Sequence, residues 1–316
     1  MAAHYERHHG LNIALDQVCV TSGATEAIAA AMFATIEAGD EVIVMTPAYD
    51  AYAPLVRRAG GVVREVAMQP PGWRIEHDVL AAAVTPKTRV IILNNPYNPT
   101  GRLFDAAELA AVAAVARDRD LIVIADEVWE HVLLDGQVFT PFAALGDMAG
   151  RTLKCGSAGK IFSLTGWKIG WLVAAPELTT LVARAHQYLT FASPPNLQAA
   201  VAFGLAEGDA WIDPMRAAFA AARDRMIAGL EAAQFVTLPS AATYFLCVDL
   251  AVSGIGTDDE GFAARAVAEA GVAVVPLSPF ADIAPPRHLV RLCFAKRDET
   301  VDSGVAALAL ARSLFA

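Results

Sequence analysis

The chain has 316 residues, 55% of them hydrophobic and 18% charged. That composition folds rather than staying disordered, and the length allows more than one domain. A net charge of -10, with no block of lysines and arginines, excludes a nucleic-acid footprint. Cys19, Cys155, Cys247 and Cys293 are scattered and form no CxxC pair. They predict neither a metal site nor a disulfide framework, and they fit a reducing cytoplasm. No apolar run reaches the length of a membrane span, and no charged start followed by an apolar stretch marks a signal peptide.

The segment MAAHYERHHG reads as the tail of an amphipathic helix. After it, β-rich runs alternate with helical patterns. VCVTS (18–22) precedes ATEAIAAAMFATIEAG, and EVIVMTP (41–47) precedes YAPLVRRAGG. RVIILNN (89–95) precedes FDAAELAAVAAVARDRD, where Asp105 and Glu108 predict a capping box at the helix start. LIVIAD (121–126) and TLKCGS (152–157) complete the series. Nearly continuous apolar strands predict a mainly parallel sheet with helices on both faces, a three-layer α/β architecture. Past residue 200 the pattern changes. Two long helical stretches, NLQAAVAFGLAEG and PMRAAFAAARDRMIAGLEAA, lead into the β-rich runs AATYFLCVDL, GVAVVPLS and HLVRLCFA. These predict a large domain over 1–212 and a smaller α+β domain over 213–316.

In an open parallel sheet, ligands bind outside the carboxyl ends of the strands. Five predicted strands end there in polar groups: Thr21-Ser22-Gly23, Thr46-Pro47-Ala48-Tyr49, Asn94 to Gly101, Asp126-Glu127, and Gly156 to Lys160. Each has an ordinary reading. Ser22 fits a plain helix N-cap, and Asp126 fits a partly exposed loop acid. Tyr49 fits the core, Lys160 a solvated surface lysine, and Arg291 an edge strand. The alternative for Ser22-Gly23-Ala24-Thr25 is an anion site at a helix N-terminus. A P-loop does not fit around Lys160, because Lys154 stands at the first glycine position and Ile161 follows the lysine. The convergence of five such ends on one edge is what points to a site.

TSGATEAI, TPAYDAY, NNPYNPTG, ADEVWEH, GSAGKIFSLTGWKIGW and VRLCFAK occur in that order. Together they resemble the class I/II aminotransferases of the fold type I pyridoxal 5′-phosphate enzymes, over essentially the whole chain. The branch with kynurenine, methionine or glutamine transaminases and cysteine-conjugate lyases is the most similar. The resemblance implies that Lys160 forms the Schiff base with the cofactor and that Asp126 pairs with its ring nitrogen. It implies that Asn98 bonds the ring hydroxyl oxygen and that Tyr49 stacks on the ring. Gly23, Ala24, Thr25, Ser157 and Lys168 would hold the phosphate, and Arg291, with Asn98, the substrate carboxylate. Small residues before Lys160 would let the ring approach closely.

The implied activity is amino transfer between an L-amino acid and a 2-oxo acid, in a cytoplasmic homodimer with Phe191 near the interface. The aromatic residues Tyr49, Tyr52, Trp129 and Phe191, and the lack of a second arginine for a dicarboxylate side chain, suggest a neutral or aromatic donor. Two departures from the family stand out. Trp129 occupies the position where a tyrosine is usual. The N-terminal arm that relatives carry ahead of YERHHG is missing, so weaker activity is expected of this chain than of a longer relative. Rival readings are β-elimination from cysteine conjugates or cystathionine, a ligand-sensing module built on the same fold, and an inactive fragment.

Overall fold

The computed structural model describes residues 1–315. Seven strands form the larger sheet: β1 (Val18–Thr21), β2 (Glu41–Thr46), β3 (Val62–Ala67), β4 (Thr88–Asn94), β5 (Ile122–Asp126), β6 (Thr152–Ser157) and β7 (Gly170–Val173). Their order is β1-β7-β6-β5-β4-β2-β3. Only β7 runs antiparallel to its neighbours, β1 and β6. The five strands expected to end at one edge therefore do point the same way.

Alternation along the strands explains the unbroken apolar runs. Ile43, Met45, Ile91, Leu93 and Val123 enter one buried cluster. Val42, Val44, Val90, Ile92 and Ile124 enter another on the opposite face. A strand covered on both sides must be apolar at every position. The capping box of the helix Ala106–Asp118 forms as expected, with Glu108 N donating to Asp105 Oδ1 at 2.9 Å and Asp105 N donating to Glu108 Oε2 at 3.0 Å.

Two strands of this sheet have no counterpart in the sequence expectations. β3 lies at the edge, where Arg64 and Glu65 are tolerated and interrupt its apolar pattern. β7 is only four residues long and follows Lys168 almost directly.

The second sheet is antiparallel, with β8 (Val236–Thr237), β9 (Phe245–Asp249), β10 (Val275–Pro276) and β11 (Leu289–Cys293) in the order β10-β11-β9-β8. It has its own buried cluster, including Leu246, Val248, Phe262 and Val290. The expected division at 212 and 213 falls inside the helix Asp209–Ala232. Arg291 sits on β11, an interior strand rather than an edge. The N-terminal segment forms the helix Ala2–His9, ended by Gly10 at φ 64°, a left-handed conformation that glycine adopts without steric cost.

Candidate active site

The strand ends open into one cavity of about 850 Å³, to which the second sheet contributes Phe245 and Arg291. Every residue that the resemblance assigned to cofactor or substrate lines it: Gly23, Ala24 and Thr25 from a helix start, Tyr49, Asn98 and Asp126 from strand ends, Ser157, Lys160 and Lys168 around β6 and β7, and Arg291.

Asp126 closes β5, and period-two alternation puts it on the same face as Ile124. It is 4% exposed, which removes the loop-acid reading. Burial pushes its carboxyl up from the usual range, against the pull of a hydrogen bond from Tyr52. Tyr52 Oη donates to Asp126 Oδ2. Asn94 Nδ2 donates to the Asp126 carbonyl at 2.9 Å, and Asn94 Oδ1 accepts from Asn98 N at 2.8 Å. One buried amide thus joins the end of β5 to the loop that carries Asn98.

Lys160 sits in the short helix Ala158–Ile161 that follows β6. Its Nζ donates to Tyr244 Oη at 3.1 Å and lies 4.5 Å from the ring centroid of Trp129. Burial lowers its pKa, and the charge of Asp126 works the other way. A lysine held so is more often a neutral, nucleophilic amine than one in water. The small residues before it serve packing within the protein. A Cβ on Gly156 would fall 2.2 Å from Trp171 Nε1, and one on Gly159 would fall 3.0 Å from Thr165 Cα.

The helix Gly23–Thr35 begins without a side-chain cap from Ser22, so the plain N-cap reading fails. The Ser22 amide donates instead to Glu26. Free N–H groups at a helix start carry partial positive charge and bind anions. Lys168 adds a full charge there, its Cα and Cδ each 3.8 Å from where a Cβ on Gly23 would lie. β7 presses against the same turn: a Cβ on Gly170 would fall 2.4 Å from the carbonyl carbon of Gly23. Only glycine fits there, a constraint the sequence reading did not extract from Gly170.

A buried carboxylate, a desolvated amine and a cationic helix start with a serine beside it form a donor set that fits a phosphorylated, cationic aromatic aldehyde. The family model for aminotransferase class I and II matches residues 1–308. The chain belongs to the class I and II aminotransferases.

It is 42% identical to the probable N-succinyldiaminopimelate aminotransferase DapC of Mycobacterium tuberculosis, covering 98% of this chain and 81% of that protein. It is 37% identical to the methionine aminotransferase of Escherichia coli, over 94% of this chain and 77% of the relative. The solved structure of the M. tuberculosis N-succinyldiaminopimelate aminotransferase superimposes with a TM-score of 0.95 at 43% identity, covering 98% of this chain and 82% of that one. This aminotransferase is accordingly a pyridoxal 5′-phosphate-dependent transaminase with the α/β architecture expected from its sequence. Among the described residues no helix is long and apolar enough to cross a membrane.

Arg291 is the aminotransferase's cation on the second sheet. Its Nη1 donates to Asn98 Oδ1 at 2.7 Å, and its guanidinium lies 4.0 Å from the Phe245 ring centroid. Burial lowers its pKa, so an incoming carboxylate would relieve a desolvated charge. Replacing Arg291 with alanine is expected to raise KM for donor and acceptor by about 30- to 150-fold, the worth of a charge-assisted hydrogen bond of roughly 2–3 kcal/mol. Steady-state kinetics with both substrates varied checks this; an unchanged KM for either would remove Arg291 from carboxylate binding.

Two contacts at this site were not foreseen from the sequence. Tyr52 is buried on Asp126, and Tyr244 bonds Lys160. Each lies 74 or more positions from its partner, so no local pattern could reveal the pairing.

Proposed function

We propose that this aminotransferase moves the amino group of a neutral or aromatic L-amino acid to a 2-oxo acid, with the cofactor tethered at Lys160. One observation carries the reading: the buried Asp126, the desolvated Lys160 and the open start of the helix Gly23–Thr35 share a single cavity. When bound, pyridoxal 5′-phosphate supplies an electron sink for the pair left by a breaking Cα–H bond.

The protein's own groups do the rest. Gly23, Ala24, Thr25, Ser157 and Lys168 hold the phosphate. Asp126 would face the ring nitrogen and favour its protonated form, and the Tyr52 hydroxyl fixes Asp126 and favours its carboxylate. Tyr49 would cover the ring, and Asn98 would bond its hydroxyl oxygen. Arg291 and Asn98 grip the substrate carboxylate and so fix which Cα bond faces the ring. Lys160 Nζ would hold the cofactor and would carry the Cα proton.

The aromatic lining contributed by Tyr49, Phe245 and Phe280 favours a neutral or aromatic side chain. Similarity to the M. tuberculosis enzyme adds N-succinyldiaminopimelate to the donors worth testing. A donor screen against 2-oxoglutarate and pyruvate decides. The reading predicts 2-oxo acid beyond one equivalent per site only when an acceptor is present, with aromatic or neutral donors leading. Repeated turnover without acceptor, with release of ammonia, would indicate β-elimination, and no product from any donor would refute the reading.

We further propose a cytoplasmic homodimer. Tyr188, Phe191 and Phe203 are 86%, 76% and 70% exposed on or beside the helices Pro176–Leu189 and Pro195–Glu207, an apolar surface that a second copy would cover. Sedimentation equilibrium showing only the 33.3 kDa chain would count against it.

A further inference from the structure

We infer that Tyr244 is a positioning residue for Lys160, its phenolic oxygen holding the lysine nitrogen against the indole of Trp129. The inference rests on the reading of Lys160 as the reactive amine and assigns that amine a partner from the second sheet.

Lys160 Nζ sits in an aromatic corner. Trp129 offers a ring face at 4.5 Å, and Tyr244 offers a ring at 5.4 Å and its hydroxyl at 3.1 Å. The two side chains differ in what they can do. An indole N–H donates only, so Trp129 attracts the ammonium form through its π face and gives the amine no lone pair. A phenol both accepts and donates. Tyr244 can accept from the ammonium and donate to the neutral amine, so it stays bonded through a protonation cycle.

The hydroxyl is well fixed. The Tyr244 ring stands edge-on to Trp129 at 4.5 Å and 85°, and to Phe245 at 4.9 Å and 72°. Its carbonyl accepts from Phe294 N at 3.1 Å, which ties it to the end of β11. Burial pushes the phenol up to about 12, so it remains protonated at working pH and acts as a hydrogen-bonding group rather than a base.

The other charged and titratable groups around Lys160 are Asp126 from β5, Tyr49 after β2, and Arg291 and Cys293 from β11. Asp126 and Arg291 act in opposite directions on the amine. Tyr244 is the group among them that bonds it directly. A hydrogen bond to an ion is stronger than one to a neutral partner, so the tyrosine favours the charged lysine. Its loss should lower the Lys160 midpoint.

The test is Tyr244→Phe, which removes one oxygen and keeps the ring. Acylation of Lys160 by acetic anhydride is followed against pH in cofactor-free protein, by mass spectrometry of its peptide, with Lys168 as internal reference. The expected result is a midpoint about one unit lower than in the wild-type protein, the scale of the difference between charged and neutral hydrogen bonds, with Lys168 unmoved. A coincident Lys160 midpoint overturns the inference, and so does an equal shift of both lysines, which would report a general change of fold. A second variant, Trp129→Phe, leaves the Tyr244 hydroxyl in place. It is expected to move the midpoint less than Tyr244→Phe does, and a larger movement would transfer the role to the indole. Failure of the cofactor assignment would appear separately, as wild-type protein that gains no visible absorption with pyridoxal 5′-phosphate.

Discussion

Lys160→Ala is expected to lower turnover by about 10⁴- to 10⁶-fold, the range seen when a group serving as nucleophile or proton carrier is removed. The same variant should acquire no visible absorption with pyridoxal 5′-phosphate. Both effects follow from the position of one nitrogen. Lys160 Nζ is the amine beside Asp126 in the cavity, and burial lowers its pKa against the charge of Asp126. Lys168 is no substitute, because it lies along Gly23 at the anion-binding end. Lys160→Arg makes the control: it keeps a cation in the aromatic corner but cannot present a neutral amine, and it should be as inactive as the alanine variant. The phosphate anchoring proposed for Ser157, Lys168 and the helix start is untouched by either change, so weak cofactor binding should survive. Binding without the visible band separates loss of the tether from loss of the pocket. A Lys160→Ala protein that retains the band and turns over would remove this lysine from the chemistry.

Much of this was legible because each signal was local. Apolar runs ending in Ser22, Asn94, Asp126 or Ser157 carry both their strand character and their direction in a few residues. The polar ends of parallel strands must then meet at one edge. Arg291 was legible for a similar reason, as a charge inside the apolar run LVRLCF. The unread features depend on distant packing. Gly156 is small for the sake of Trp171, and Gly170 for the sake of Gly23. Tyr244 reaches Lys160 only once the second sheet has closed over the first. β3 resisted because an edge strand need bury only part of its surface, so its sequence carries charges that a central strand excludes.

Lys154 illustrates the same limit and carries the largest expected effect on stability. It lies in β6, six positions before Lys160, and is fully buried. Its Nζ is 2.8 Å from Glu130 Oε2, 3.2 Å from Glu127 Oε2 and 3.1 Å from Tyr5 Oη. Tyr5 Oη in turn donates to Glu130 Oε1 at 2.9 Å and accepts from Trp171 Nε1 at 2.7 Å. Burial drives both glutamates upward. For Glu127 it prevails, pushing the carboxyl up to about 7. For Glu130 the attraction of Lys154, helped by His9, wins and holds it below the usual range.

Lys154→Met keeps the volume of the stem and removes the charge. It leaves Glu130 with His9 at 3.2 Å but without the lysine, which costs about 3–5 kcal/mol for a buried pair broken on one side. The pH dependence gives the test its sign. In the wild-type protein Glu130 is depressed, so its contribution is present above the unfolded carboxylate pKa and lost only as pH falls through the lower folded value. In the variant desolvation acts unopposed by the lysine and the folded pKa rises, so stability is lost as pH climbs through it. The deficit relative to wild type, measured by urea unfolding, should therefore be larger at pH 8 than at pH 5. Adding Glu130→Gln should recover part of it, because the stranded charge is gone. A deficit equal at both pH values, or no recovery in the double variant, would mean that the cost is one of packing. The buried lysine would then lose its role as the charged link between the strand leading to Lys160 and the turn that follows Asp126.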